Sequence, residues 1–245
     1  MATLIDTGDS MGTPGFEAIV LAGGLGTRIS SVVADRPKVM AQVGGRPFVE
    51  FLLGRMARQG LTRVILATGH LHALLEAHFG ERWGGLEICY SREDRPLGTG
   101  GAVWKALEMA VADDVFVLNG DTFFDIDLLA LFRCHRTLAA DATLALKPMR
   151  NFERYGAVDL KAGRIIRFRE KRKTDQGLIN GGVYLIDRGL PAQFPMAGRF
   201  SLESDFFEQK VEEITIGGFV SDGYFIDIGL PEDLARAQLE LPHLP

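Results

Sequence analysis

Apolar residues occur along this chain in short blocks separated by amphipathic stretches. The blocks FEAIVLA (16–22), RVILAT (63–68), LEICYS (86–91) and DVFVLN (114–119) have strand length and predict strands. Between them, PFVEFLLGRMARQG (47–60), LHALLEAHFGERW (71–83) and TGGAVWKALEMAV (99–111) predict helices. In the first helix Phe48, Phe51, Leu52 and Met56 share one face, which predicts a core-facing stripe. Strands alternating with helices of this length predict βαβ units and a parallel sheet. Past about residue 140 the pattern changes. DATLALK, GRIIRF, LINGGVYLI and EITIGGFV are strand-like, and only SLESDFFEQKVEE and PEDLARAQLEL predict helices. The expected organisation is one domain over 16–245, with an α/β half over about 16–140 and a β-rich half over about 141–240.

A chain of 245 residues is long enough to bury one large core. Its net charge of −5 disfavours non-specific nucleic-acid binding, so a polyanionic ligand would need locally clustered cations. Cys89 and Cys134 have no metal-type spacing and suggest no disulfide framework. The start, MATLIDTGDSMGTPG, lacks the basic and apolar regions of a signal peptide and is expected to be a mobile leader over 1–15. No apolar run approaches transmembrane length, so a cytoplasmic location without a membrane partner is expected.

The first candidate chemistry is VLAGGLGTRI (20–29), where glycines follow an apolar strand and precede Arg28. It is not a P-loop, and Ile29 stands where a dinucleotide fingerprint needs its third glycine after Gly24 and Gly26. Two readings stay open: a plain turn, or an anion-binding nest with Arg28 as counter-ion. A second basic element, RPKVM (36–40), rigidifies the approach to Lys38 with Pro37. VFVLNGDTFFDIDL places Asp121 just past a strand end, where open α/β sheets bind ligands. A calcium loop at Asp125 and Asp127 lacks the glycine and terminal glutamate it would need. YFIDIGLPEDLARA offers Asp227 in a similar place, before a helix whose first turn holds Pro231, Glu232 and Asp233. Magnesium usually takes one or two carboxylates and completes its shell with water and phosphate, which two converging aspartates would satisfy.

Together LAGGLGTR, RPKVM, PLGTGGA, LNGD, REK, INGGVY and DIGLPED resemble the sugar-1-phosphate nucleotidyltransferases, in that family's order, from about residue 16 to 240. The fuller strings PLGTGGA, LNGDTFFDIDL, NFERYGAV, LINGGVYLI and YFIDIGLPED are most similar to the D-glycero-α-D-manno-heptose 1-phosphate guanylyltransferases. The resemblance implies a Rossmann-like, three-layer αβα fold of glycosyltransferase A type, with a mixed, mainly parallel central sheet. It implies GMP transfer from GTP to a heptose 1-phosphate for bacterial capsule or surface polysaccharide. It further implies that Leu21, Ala22, Gly23, Gly24, Gly26, Thr27, Gly98, Thr99 and Gly120 bind the nucleotide. Arg28 and Lys38 would hold the triphosphate, and Asp121 and Asp227 would hold Mg2+.

Glu170 and Lys171 would face the sugar hydroxyls and the sugar phosphate, with Tyr155, Gly156, Asn180 and Gly181 as the pocket wall. Read alone, RFREKRK is a solvated charge run and NGG a strand bulge. Glu93 would read the base: guanine offers adjacent N1–H and N2–H2 donors, which a carboxylate accepts together. Leu230 and Tyr224 depart from the threonine and tryptophan of many relatives, which bears on sugar choice. His70, His72, His78 and His135 are expected to be structural. The alternatives are a mannose 1-phosphate guanylyltransferase, a uridylyl- or thymidylyltransferase for a hexose 1-phosphate, and a non-catalytic regulatory subunit. A homo-oligomer stays open.

Overall fold

The computed structural model describes residues 16–24 and 36–244. Its strands are β1 (Phe16–Leu21), β2 (Gln42–Val43), β3 (Arg46–Pro47), β4 (Leu61–Thr68), β5 (Arg82–Trp83), β6 (Leu86–Arg92) and β7 (Asp114–Asn119). They continue as β8 (Thr122–Phe124), β9 (Ala142–Phe152), β10 (Ala157–Lys161), β11 (Arg164–Phe168), β12 (Thr174–Asp187), β13 (Ile216–Val220) and β14 (Phe225–Asp227). The helices are α1 (Phe48–Arg58), α2 (His72–Phe79), α3 (Gly98–Leu107), α4 (Leu128–Leu138), α5 (Leu190–Gln193), α6 (Glu208–Lys210) and α7 (Pro231–Glu240). A 3-10 turn covers Lys38–Met40 and a π-helical turn covers Leu202–Phe207.

Ten strands form one sheet in the order β10-β11-β13-β9-β12-β7-β1-β4-β6-β5. Side-chain alternation along the central strands divides the core into two layers. Ala18, Val20, Val64, Leu66, Phe116 and Leu118 face one cluster, packed under α1, α2, α4 and α7. Ile19, Ile65, Ala67, Val115 and Val117 face the other, packed under α3 and the π-helical turn. The result is the expected three-layer αβα arrangement. Phe48, Phe51, Leu52 and Met56 of α1 are all buried, as their spacing predicts. Each contributes about 1.5–3 kcal/mol by leaving water.

The sheet is mixed, but parallel pairing dominates only its first half. β7, β1, β4 and β6 are parallel neighbours, whereas β12 runs antiparallel to both β7 and β9. The expectation of a mainly parallel sheet therefore needs correction for the second half. Tight reversals there, such as the one between β10 and β11, cost less chain than crossover helices. The pattern also overextends α2, which stops at Phe79 because Gly80 takes φ 58°, leaving Arg82–Trp83 to form β5. It misses α4, whose N-cap is Asp127, accepting from the Ala130 N–H at 2.9 Å.

Candidate active site

Asp121 and Asp227 meet because two short strands pair across the chain. β8 and β14 form an antiparallel ribbon in which Asp227 lies opposite Thr122. The Ile228 N–H then donates to the Asp121 carbonyl at 2.9 Å. Asp121 itself leaves the end of β7 through Gly120, whose N–H donates to the Leu21 carbonyl at 3.1 Å. Any Cβ at residue 120 would collide with the Leu21 carbonyl and with Val39. Glycine is what lets the ends of β1 and β7 close on each other, carrying Asp121 to the edge of the 21–24 loop.

Charge organises this junction. Lys38 Nζ pairs with Asp121 Oδ2 at 2.5 Å. Asp227 Oδ1 accepts from the Gly229 N–H at 2.7 Å, while Oδ2 accepts from the Tyr155 hydroxyl at 3.4 Å. Arg154 Nη2 lies 3.7 Å from the same Oδ2, and its Nη1 donates to Asp233 Oδ2 at 2.7 Å. Burial pushes the Asp227 carboxyl up, and the neighbouring Asp121 charge adds to it; Lys38, the Gly229 N–H and Arg154 oppose them. Burial, with Asp227 second, lifts the Tyr155 phenol to about 12, so it stays a donor at neutral pH. Among the described residues no three His, Cys, Asp or Glu side chains cluster as a self-sufficient metal cage. Two adjacent carboxylates suit a divalent ion that completes its shell with water and phosphate.

From this junction a cleft of about 840 Å3 opens, lined mainly by residues of the second half of the chain. Lys38, Asp121, Tyr155, Gly156, Glu170, Lys171, Asn180, Gly181 and Asp227 all line it. The carboxylate pair and the whole predicted sugar-phosphate set thus share one cavity. The bulge reading of NGG is also realised: the β12–β9 register shifts between Asn180 and Tyr184. Asn180 Oδ1 accepts from the Gly182 N–H and its Nδ2 donates to the Tyr184 hydroxyl, both at 2.9 Å.

The predicted nucleotide residues that are described lie beside the cleft rather than on its wall. The Ala22 N–H donates to the Ala67 carbonyl at 2.8 Å, holding the start of the loop on β4. Glu93, half-buried past β6, points at the loop: a Cβ on Gly23 would lie 2.8 Å from its Oε1. Its Oε2 accepts from the Leu97 N–H at 2.8 Å. Burial pushes the Glu93 carboxyl up, opposed by that N–H and by Lys105. Gly98 and Thr99 begin α3, and the Thr99 hydroxyl is engaged within the protein, donating to Glu203 Oε2 at 2.9 Å. Gly24 is exposed at the loop's described end. Gly26, Thr27 and Arg28, like the leader at 1–15, lie outside the described residues.

Other candidates resolve into structural duties. Asp125 pairs with Arg55 at 2.5 Å and Asp127 caps α4, which accounts for the aspartates of the calcium-loop alternative. His135 is buried, bonded to Thr143 Oγ1 at 2.9 Å. Of the two departures from the wider family, Leu230 lines the cleft, whereas the Tyr224 hydroxyl donates to Glu240 on α7 at 2.5 Å. Among the cleft residues that the sequence reading does not single out are Arg154, directly before Tyr155 in NFERYGAV, and Glu203 in the π-helical turn. Of this pair, Arg154 had a signal in its place within a family string, and Glu203 had none.

Comparison with known proteins agrees with this geometry. D-glycero-α-D-manno-heptose 1-phosphate guanylyltransferase of Aneurinibacillus thermoaerophilus is 46% identical over 227 residues, covering 93% of this chain and 99% of that protein. The Campylobacter jejuni protein of the same name is 42% identical, covering 89% and 96%. Among solved structures, HddC from Yersinia pseudotuberculosis, complexed with GMP-PN, superposes with TM-score 0.81 at 31% identity, covering 92% of this chain and 99% of that one. The nucleotidyl transferase family model matches residues 17–243, which takes in both aspartates, Lys38 and the whole cleft. Loop, carboxylate pair and cleft thus fall inside one matched span, and the chain belongs to the nucleotidyl transferase family.

Proposed function

We propose that the protein transfers GMP from GTP to D-glycero-α-D-manno-heptose 1-phosphate, giving GDP-D-glycero-α-D-manno-heptose and pyrophosphate. The observation that carries the reading is the Asp121–Asp227 pair at the head of a cleft whose wall holds Glu170 and Lys171. The likeness to two heptose 1-phosphate guanylyltransferases supports the choice of substrates.

A phosphate monoester has its second pKa near 6. The sugar phosphate is therefore already a dianionic nucleophile at neutral pH, and no side-chain base is required. Its oxygen forms a bond to the α-phosphorus of GTP as the bond from that phosphorus to the β-phosphate oxygen breaks. The protein's task is positioning and charge. In this reading Lys38 and Arg28 hold the triphosphate, Lys171 holds the acceptor phosphate, and Glu170 accepts from sugar hydroxyls. Glu93 accepts from guanine. Asp121 and Asp227 would hold Mg2+, which supplies charge neutralisation at the α-phosphate when bound. No helix among the described residues is long and apolar enough to cross a membrane. The reading places the enzyme in the cytoplasm, where GTP is available, supplying an activated sugar for capsule or surface polysaccharide.

Pyrophosphate release, measured with Mg2+ across four nucleoside triphosphates and a panel of sugar 1-phosphates, tests the proposal. GTP with the heptose 1-phosphate should give the highest kcat/KM. A preference for mannose 1-phosphate would overturn the sugar assignment, and a preference for UTP or dTTP the base assignment. Binding without release for every pair would identify a regulatory subunit.

A further inference from the structure

On the cleft wall one carboxylate joins the helix that follows the Glu93 turn to the strand that carries Asn180. Glu203 Oε1 accepts from the Tyr184 hydroxyl at 2.8 Å. Its Oε2 accepts from Thr99 Oγ1 at 2.9 Å and from Ser201 Oγ at 3.0 Å. Thr99 stands in the first turn of α3, directly behind the loop that Glu93 closes. Tyr184 stands on β12, fully buried, and accepts from Asn180 Nδ2 at 2.9 Å. Residues assigned from sequence to different substrates, Thr99 to the nucleotide and Asn180 to the sugar, are thus the ends of one continuous chain of hydrogen bonds.

The surrounding backbone makes this joint rigid. The Phe200 N–H donates to the Leu97 carbonyl and the Gly100 N–H to the Phe200 carbonyl, both at 3.0 Å. The Leu202 N–H donates to Thr99 Oγ1 at 2.9 Å. Gly98 takes φ +72° under the Phe200 carbonyl, a conformation and a clearance that a side chain would not allow. Glu203 projects from a π-helical turn, a conformation that is frequent at functional sites. Leu202, Phe206 and Phe207 bury the opposite side of that turn in the core.

We propose that Glu203 is a positioning residue that sets the distance between the nucleotide residues beside the cleft and the sugar-phosphate residues on its wall. The inference rests on the transfer reaction proposed above, though not on the identity of the base or the sugar. A residue belonging to one subsite alters the binding of one substrate. A residue that sets the spacing between subsites alters the transfer step while each substrate still binds. Because the role is geometric, an isosteric amide should serve. A glutamine carbonyl accepts from Tyr184, and its NH2 donates to the Thr99 and Ser201 hydroxyls, whose oxygens accept as well.

The test compares Glu203→Ala, Glu203→Gln and Tyr184→Phe in the full chain, with whichever nucleotide and sugar 1-phosphate the wild type uses best. Turnover is read as pyrophosphate release. Dissociation constants are measured by calorimetry for a non-hydrolysable analogue of that nucleotide and, separately, for that sugar 1-phosphate. In Glu203→Ala, kcat should fall roughly 30- to 100-fold, the scale of a misplacement near 1 Å, with both dissociation constants within about threefold of wild type. Glu203→Gln should recover kcat to within about fivefold of wild type. Tyr184→Phe, which keeps the ring stacked on Phe207, should lower kcat to an intermediate value and covers the case in which the alanine variant does not fold.

The proposal is overturned if Glu203→Gln is as slow as Glu203→Ala, because the charge and not the geometry would then be at work. It is equally overturned if either variant weakens one substrate's binding in proportion to the loss of kcat/KM, or if Tyr184→Phe turns over at the wild-type rate. A wild-type protein that transfers no nucleotide to any sugar 1-phosphate would refute the reaction itself, a different outcome from any of these.

Discussion

Replacing Glu93 by glutamine isolates how the base is chosen. The two carboxylate oxygens have different surroundings: Oε2 accepts from the Leu97 N–H at 2.8 Å, whereas Oε1 faces the backbone of Gly23. In Glu93→Gln the amide oxygen is the only group able to keep the Leu97 bond, so the NH2 must take the loop-facing side. That side is where guanine would present N1–H and N2–H2. Two donors would then face each other, half-buried. Losing a charge-assisted bond costs about 1.5–3 kcal/mol, and leaving a donor unpaired adds about 1 kcal/mol or more. A total near 2–4 kcal/mol corresponds to about a thirty- to thousand-fold loss in kcat/KM for GTP.

UTP and dTTP use should fall less, because their bases offer an acceptor to the new NH2. The measurement is the GTP-to-UTP ratio of kcat/KM within the variant, so that general damage cancels. Acidification provides a second reading. Burial raises the Glu93 pKa, so its carboxylate gains a proton at higher pH than an exposed glutamate would. Guanine preference in the wild type should therefore weaken as pH falls through that value, and the glutamine variant should show no such trend. An unchanged GTP-to-UTP ratio in Glu93→Gln would refute base reading by this residue, whatever the overall rate.

Asp121→Asn and Asp227→Asn should each remove most turnover, several kcal/mol of transition-state stabilisation, and near-normal rates at saturating Mg2+ would refute the metal assignment. Burial and Asp121 raise the Asp227 pKa, so the folded chain holds that proton more tightly than the unfolded one does. Ionising Asp227 therefore costs stability as pH rises through the interval between the unfolded and folded values. Asp227→Asn should consequently melt no lower than wild type at neutral pH without added metal, and a clear fall in Tm would contradict that sign. Lys171→Ala should weaken sugar 1-phosphate use by roughly 1.5–3 kcal/mol, with GTP binding little changed in calorimetry. Arg154→Ala frees Asp233 and one side of Asp227 together, so Mn2+ titration followed by electron paramagnetic resonance should show altered metal affinity, while Arg154→Lys should restore part of it.

Much of the scaffold was legible because it depends on local alternation. β7 spans the DVFVLN block from end to end, since two hydrophobic layers flank it and require an apolar residue at nearly every position. α4 was not legible. Its start sits among the aspartates of DTFFDIDL, where Asp125 and Asp127 suggest a loop until their partners are known. One is bound by Arg55 of α1 and the other by the first turn of α4 itself, and the first of these is a tertiary contact.

The site divides along the same line. Asp121 could be placed at a strand end from sequence, because β7 and the glycine after it are local features. Its meeting with Asp227 came from the family resemblance and not from local pattern, because it depends on two three-residue strands pairing across most of the second half of the chain. Strands so short carry no periodicity of their own, and their pairing is imposed by what surrounds them. The Phe124 and Phe225 rings meet edge to face at 5.6 Å, and the Asp125 N–H donates to the Tyr224 carbonyl at 2.8 Å. Glu203 belongs to the same class, since its three hydroxyl partners come from α3, β12 and the entrance to its own π-helical turn. The placement of Asp121 and Asp227 at strand ends is thus written locally in the sequence. The distances among the residues of the site, on which phosphoryl transfer depends, are set by the ribbon and by the Glu203 joint, where single substitutions should alter rate without abolishing binding.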